Sequence, residues 1–385
     1  MMVRSINKKK SPRAQLYCQQ CGEKYSLKEP RWRCRCGSVL DIRTEARFPR
    51  DKINKRKPTL WRYREALPVR HDVRIISFDE GFTPLVFVRF QSYRVGVKLE
   101  FLFPTGSFKD RGATVLVSKI NELGIKEVVG DSSGNAGAAI AAYCAAARIG
   151  CNMYVPESIS AAKLAQMRTY GAKLVRIPGS REETAQAALK IAQKTYYASH
   201  YWNPFFLQGT KTFAFEIWEQ LGGEVPTNLI LPVGHGSLLL GAYIGFWELR
   251  AAGMIEELPR IFAVQSQSCS PLYQAFHQNL DFLPEITGKE SLAEGIHISK
   301  PLRWKQLTEA VRVTGGTFLT VSEKEIVSSL KEIGYRGFFV EPTSATVVAA
   351  LEKLAKQNLI DPEGLTVIPL TGSGLKTTNR ITSRI

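Results

Sequence analysis

Short apolar runs alternate with longer helix-like stretches through most of the chain. Runs at 86–89 and 97–101 read as strands, and Pro104 and Gly106 mark a turn before a helix-like run that begins at Ala113. Strands at 126–129, 152–155 and 173–177 follow, each succeeded by a helix: an alanine-rich one ending near 150, then 159–170 and 181–194. A helix at 209–222 leads to a strand at 228–233, and another helix ends near 253. A helix capped by 340–345 runs to about 355, before a continuous apolar strand at 365–370 suited to a sheet buried on both faces. Strands and helices in alternation predict an α/β fold with parallel sheets, and no repeat of fixed period is evident.

Length changes the picture first. A chain of 385 residues exceeds what one hydrophobic core usually serves, so at least two domains are expected. No uncharged run reaches the roughly 20 apolar residues of a membrane span, and the longest candidate, 132–147, reads as a buried helix. The basic N-terminus lacks a following apolar core, which argues against secretion and for a cytoplasmic protein.

Charge is unevenly spread. Residues 1–70 hold 20 Lys or Arg against 6 Asp or Glu, a surplus of +14 out of a net +17. Such an arm is either an electrostatic site for nucleic acid or an acidic partner, or a solvated basic face. No aromatic-interleaved RNA-binding motif accompanies it, so nucleic acid is not expected as a partner.

Four of the seven cysteines, Cys18, Cys21, Cys34 and Cys36, follow the pattern C-x2-C-x12-C-x-C. Gly22 and Gly37 come directly after the second and fourth, where tight turns would aim sulfurs inward. This spacing suits a closed, structural tetrahedral zinc site better than disulfides, which conflict with the missing secretory signal. Tyr17, Tyr25, Trp32 and Val39 are expected to pack around it, while Cys144, Cys151 and Cys269 read as core residues. The expected domains are a basic zinc-ribbon-like module at 1–50 and two α/β domains at 51–205 and 206–385. Leu60 and Trp61 in the 47–67 linker suggest that it docks.

Lys109 sits between the 104–106 turn and a helix, with Arg111 two residues on. Helix dipole and neighbouring cation both disfavour an ammonium, and a lysine of lowered pKa can attack a carbonyl to form a Schiff base. From that stretch alone an ordinary surface lysine is the favoured reading. The loop Ser132, Ser133, Gly134, Asn135 opens a helix at a strand end and suits either a carboxylate or phosphate, or mere helix capping. Gly234, His235, Gly236, Ser237 and Leu238 form a glycine-rich strand-to-helix turn. Leu239 stands where the dinucleotide fingerprint needs its third glycine, so one phosphate fits better than a pyrophosphate. Thr371 follows the last strand, where a hydroxyl can bond a ring nitrogen without forcing its protonation.

The stretches PTGSFKDRGA (104–113), DSSGNAGAAIAAY (131–143), PVGHGSLLLGAY (232–243), LAEGI (292–296), FVEPTSA (339–345) and LTGSGLK (370–376) together resemble the fold-type II pyridoxal-phosphate enzymes, and within them the threonine synthase family. The cysteine-bearing end is similar to that of its archaeal type. The resemblance implies a tryptophan synthase β-like fold of two three-layer αβα domains and a small zinc-ribbon-like module, assembled as a homodimer. It implies that Lys109 holds pyridoxal 5'-phosphate and that Asn135 bonds the ring's phenolic oxygen. Gly234, His235, Gly236, Ser237 and Leu238 would bind the cofactor phosphate, and Thr371 would face the ring nitrogen. Ser132, Ser133, Gly134 and Asn135 would hold the substrate. The implied reaction converts O-phospho-L-homoserine and water to L-threonine and phosphate. Departures are His235, where many relatives have Asn, and Ser373, where many have His. An arginine that some bacterial relatives carry just before the 205–212 segment is absent, leaving Lys211, Lys163 or Arg111 as candidates for the substrate phosphate. Two other readings stand beside this one. One is a cysteate synthase or serine/threonine dehydratase relative, and the other a zinc-ribbon binding protein with a degenerate enzyme body.

Overall fold

The computed structural model describes residues 14–90, 92–157, 161–179 and 181–382, with the side chains of 161–163 left out. Three antiparallel strands, β1 (Ala14–Tyr17), β2 (Lys24–Tyr25) and β3 (Asp41–Thr44), form a small amino-terminal sheet in the order β2-β1-β3. The rest is built on two larger sheets. One has six strands: β4 (Leu85–Phe90), β5 (Tyr93–Lys98), β10 (Asn228–Pro232), β11 (Arg260–Ser266), β12 (Phe318–Val321) and β13 (Thr366–Pro369), in the order β12-β11-β10-β13-β5-β4. Its pairings are parallel except for the β4–β5 hairpin at the edge. The other sheet is parallel throughout, with β6 (Glu127–Gly130), β7 (Gly150–Pro156), β8 (Lys173–Ile177) and β9 (Tyr196–Tyr197) in the order β8-β7-β6-β9.

Alternate residues of the central strands leave the large sheet on opposite faces. Leu229, Leu231 and Val367 join one apolar cluster with helices Thr212–Gln220 and Ser237–Ala251, and Ile230 and Ile368 join another with helices Glu323–Tyr335 and Pro342–Lys356. That is the expected αβα sandwich. The sheets cut across the division expected at residue 205, because β4 and β5 belong to the large sheet beside β13. The linker docks as expected: Leu60 is fully buried, and Trp61 donates to Thr114 Oγ1 at 3.1 Å.

Helix Lys109–Glu122 lies against helix Pro204–Thr210. A Cβ at Gly209 would stand 1.8 Å from the Arg111 carbonyl oxygen, so only glycine allows this approach. Helix Pro204–Thr210 starts earlier than the sequence pattern placed it. Asn203 accepts from the Phe205 N–H and Pro204 fills the first turn, both ordinary start signals.

The amino-terminal module is stitched to the body. Trp32 packs edge-on against Tyr197 and Trp202, with ring centroids 5.1 and 5.6 Å away, and donates its indole N–H to the Ala192 carbonyl at 3.2 Å. It therefore serves the junction as well as the module. Buried Arg303 donates to Asp41 Oδ1 at 2.6 Å and the Leu40 carbonyl at 2.8 Å on one side, and to the Tyr201 carbonyl at 3.0 Å on the other.

Candidate active site

Residues separated in sequence meet because parallel strands present their carboxyl ends together, the usual ligand position in such folds. The turns after β6, β10 and β13, and the segment after β5, supply the expected residues. Lys109 opens helix Lys109–Glu122, and the preceding segment is zipped to the turn after β13: the Phe108 N–H donates to the Thr371 carbonyl at 3.0 Å, and the Ser373 N–H to the Gly106 carbonyl at 2.9 Å. Lys109 Nζ reaches Ser237 Oγ at 3.2 Å, at the start of the 15-residue helix that follows the glycine turn. Asn135 Nδ2 donates to Glu341 Oε2 at 2.9 Å. Thr371 Oγ1 lies 3.0 Å from Ser344 Oγ and is buried. Ser132, Ser133 and Gly134 lie just after β6, before helix Asn135–Ala146.

Burial lowers the Lys109 amine from its ordinary value to about 8, and Glu341 partly offsets the effect. Arg111 makes no contribution of the sort expected from its position. Its guanidinium turns into the core, donating to both oxygens of Glu100 at 2.6 and 2.7 Å and both oxygens of Glu216 at 2.6 Å. Lys98 Nζ completes this network at 2.8 Å from Glu216. Lys211 is likewise buried, bonded to Gln208 Oε1 at 2.6 Å and to Glu248 at 2.8 Å. Both cations are committed to carboxylates, and the side chain of Lys163 lies outside the described residues.

Glu341 carried no assigned role in the sequence pattern. It is buried, accepts from Asn135, and stands so close to Gly372 that a Cβ there would meet its carboxylate at 2.4 Å. The signal was its place in FVEPTSA, directly before the proline that starts helix Pro342–Lys356.

The turn after β10 fits a phosphate. Gly236 has φ 78°, and a Cβ would collide with Leu307 at 2.2 Å; at Gly234 it would meet the Ile296 backbone at 2.9 Å. The glycines let the turn pack tightly against Leu307 and Ile296, and its N–H groups stand at a helix start, where a phosphate is favoured. With a lysine of lowered pKa nearby and a buried threonine hydroxyl past a strand end, the residues suit a phosphorylated pyridine aldehyde.

The four cysteines of the amino-terminal motif also converge. Their sulfurs lie within 4.8 Å of one another, with Cys18–Cys36 at 3.7 Å and Cys21–Cys34 at 3.4 Å. Tetrahedral zinc with four thiolates at ~2.3 Å needs sulfur separations of about 3.8 Å, which this cluster approaches. Gly22 and Gly37 take φ 76° and 88° in the two turns. Tyr25 packs there as expected, its hydroxyl 3.1 Å from Cys34 Sγ. Cys144, Cys151 and Cys269 are buried, as expected of core residues.

Comparison with known proteins agrees with this geometry. Residues 76–372 match the family described as pyridoxal-phosphate dependent enzyme. A threonine synthase from Methanocaldococcus jannaschii is 36% identical, over 93% of this chain and 92% of the relative. One from Methanosarcina acetivorans is 33% identical, over 94% and 92%. Among solved structures, a threonine deaminase from T.th. superposes with a TM-score of 0.65 at 24% identity, covering 76% of this chain and 92% of that one. Maize serine racemase gives 0.66 at 22% identity, covering 78% and 91%. At these identities the two structures speak to the fold alone.

Proposed function

The chain belongs to the threonine synthase family of fold-type II pyridoxal-phosphate-dependent enzymes, and from that premise we propose that it converts O-phospho-L-homoserine and water to L-threonine and phosphate. The observation that carries the reading is the meeting of Lys109, Ser237 and Thr371 from three distant segments around one turn. Pyridoxal phosphate, when bound, supplies an electron sink for a carbanion at the substrate α carbon.

Lys109 would carry the cofactor through its amine and afterwards serve as the base that moves protons at the substrate's α and β carbons. Its lowered pKa suits both tasks, since only the neutral amine can accept a proton. Gly234, His235, Gly236, Ser237 and Leu238 would hold the cofactor phosphate through backbone N–H groups. Asn135 would meet the phenolic oxygen, oriented by Glu341. Thr371 would bond the ring nitrogen, held in place by Ser344. The substrate carboxylate would be received by Ser132, Ser133, Gly134 and Asn135 at the start of a 12-residue helix. The deciding experiment incubates cofactor-loaded protein with O-phospho-L-homoserine and follows both products. Equimolar threonine and phosphate support the reading. Ammonia from serine, or sulfite incorporation with phosphoserine, in place of threonine would refute it.

The lysine makes a pH prediction. Cofactor uptake by apoenzyme needs neutral Lys109, so its rate should rise with pH and level off above about 8. Stopped-flow absorbance checks this; a rate still climbing through the ordinary lysine range would show an unperturbed amine.

The four-cysteine cluster is proposed to hold structural zinc, with no position left open for chemistry. Chelation should then loosen residues 14–44 before the catalytic body. Hydrogen exchange would reveal it, and protection lost evenly along the chain would contradict it. The family reading also implies a homodimer in the cytoplasm. No described helix is long and apolar enough to cross a membrane.

A further inference from the structure

The side chains of two histidines near Lys109 take no part in the chemistry above. His200 follows β9 and is only 7% exposed; His235 lies in the glycine turn. The Nδ1 atom of each is buried and has no hydrogen-bond partner. The two rings meet edge to face with centroids 5.3 Å apart, and His235 lies flat on Tyr201 at 4.1 Å and 4°. Tyr201 donates its hydroxyl to Asp131 Oδ2 at 2.9 Å, and Arg181 Nη1 donates to the same oxygen at 3.1 Å. The Tyr197 hydroxyl lies 3.3 Å from that of Tyr201.

The charged and titratable groups facing the pair are therefore Lys109, Arg181, Tyr197, Tyr201 and Asp131. Burial pushes His200 well below its ordinary range, helped by Lys109, His235 and Arg181. Burial, Arg181 and Lys109 push His235 down to about 3. Both imidazoles thus stand neutral beside two cations, with nitrogens left unsatisfied. Buried polar atoms are rarely left so without a role, and two unsatisfied imidazole nitrogens near a guanidinium suit an anion.

We propose that His200 and His235, with Arg181 beside them, receive the phosphate group of the substrate. The inference rests on the threonine synthase reading and names a part of the site that reading leaves open. The cations first expected there, Arg111 and Lys211, are fully buried among carboxylates, whereas Arg181, though bonded to Asp131, keeps 36% of its side chain exposed. The substrate carboxylate and the cofactor phosphate each have their own backbone N–H cradle. A dianion at the two Nδ1 atoms reverses the field that keeps the rings neutral, so recognition draws a proton from solvent onto the imidazoles.

The test uses the cofactor-loaded enzyme, so that the glycine turn is already filled, and inorganic phosphate as probe. Calorimetry near neutral pH in two buffers of different ionisation enthalpy counts protons. Spectra of labelled histidine are tractable because the chain has only 5. Expected are close to one proton taken up per phosphate and shifts in two histidine signals. His200→Asn should weaken phosphate binding and raise KM for phosphohomoserine about 10-fold with cofactor absorbance unchanged; His235→Asn should weaken phosphate binding to a similar degree, read on protein of measured cofactor content. No binding at millimolar phosphate, or binding without proton uptake and with all signals still, overturns the assignment whether or not the variants fold. Failure of the parent reading looks different: no threonine forms, yet phosphate binds to the same two histidines with proton uptake, which keeps the receptor and removes the substrate.

Discussion

The Lys109→Ala protein is expected to lose the protein-bound absorbance of the cofactor and at least ~10³-fold of turnover, while remaining folded. Two effects combine. The cofactor loses its covalent holder, and the substrate loses the base that shuttles its protons. Neighbouring amines cannot take over. Lys376 Nζ is held on the Thr105 carbonyl at 2.8 Å, and Lys211 is bonded to Glu248 and Gln208. Lys109→Arg should be equally inactive, because a guanidinium stays charged and forms no Schiff base. Absorbance and product formation, measured on one preparation, decide the matter. Turnover within tenfold of the native protein would assign the chemistry to another group.

Arg111→Met is expected to cost about 3–5 kcal/mol, the usual consequence of stranding buried carboxylates by removing their partner. Glu100 and Glu216 are both fully buried and face the same guanidinium. Lys98 would be left to balance two charges. For a chain of 385 residues such a loss lowers the melting temperature by roughly 4–6 °C. The pH dependence follows from the same network. Arg111 and Lys98 overcome burial and hold Glu216 down to about 2 in the native protein. Its ion pairs contribute fully above the unfolded carboxylate range and are lost only as pH falls through about 2. Without Arg111, burial is less opposed and the carboxylates protonate more readily. The variant's deficit should therefore narrow as pH falls toward 4–5, the ordinary carboxylate range. Melting curves across pH test this, and a deficit independent of pH would deny the ion pairs their part.

Legibility in the sequence varied by the range of the interaction. Strands β7, β8, β10 and β13 were readable because apolar runs end at turn residues, a purely local signal. The pattern places β5 a few residues late, at 97–101; Glu100 is drawn inward by Arg111, and Glu100–Leu102 forms a 3-10 turn instead. Arg111, from its place beside Lys109, reads as a cation that lowers the lysine pKa or binds the substrate phosphate. Its partner Glu216 lies 105 residues away, and nothing local announces that pairing. The segments proposed to hold the cofactor are visible because they are short contiguous turns at strand ends. His200 is not, because a buried histidine is recognisable only when the rings and cations around it are assembled.

The seat of Trp32 has an optical consequence. This indole is in the cysteine module, yet its surroundings are Tyr197, Trp202 and the Ala192 carbonyl of the catalytic body. Lifting the module would move it from a dry aromatic nest into water and shift its emission to the red. The same aromatic patch continues through Tyr201 to His235. Intrinsic fluorescence thus reports, without label, cofactor or substrate, whether the back of the catalytic cleft is in place.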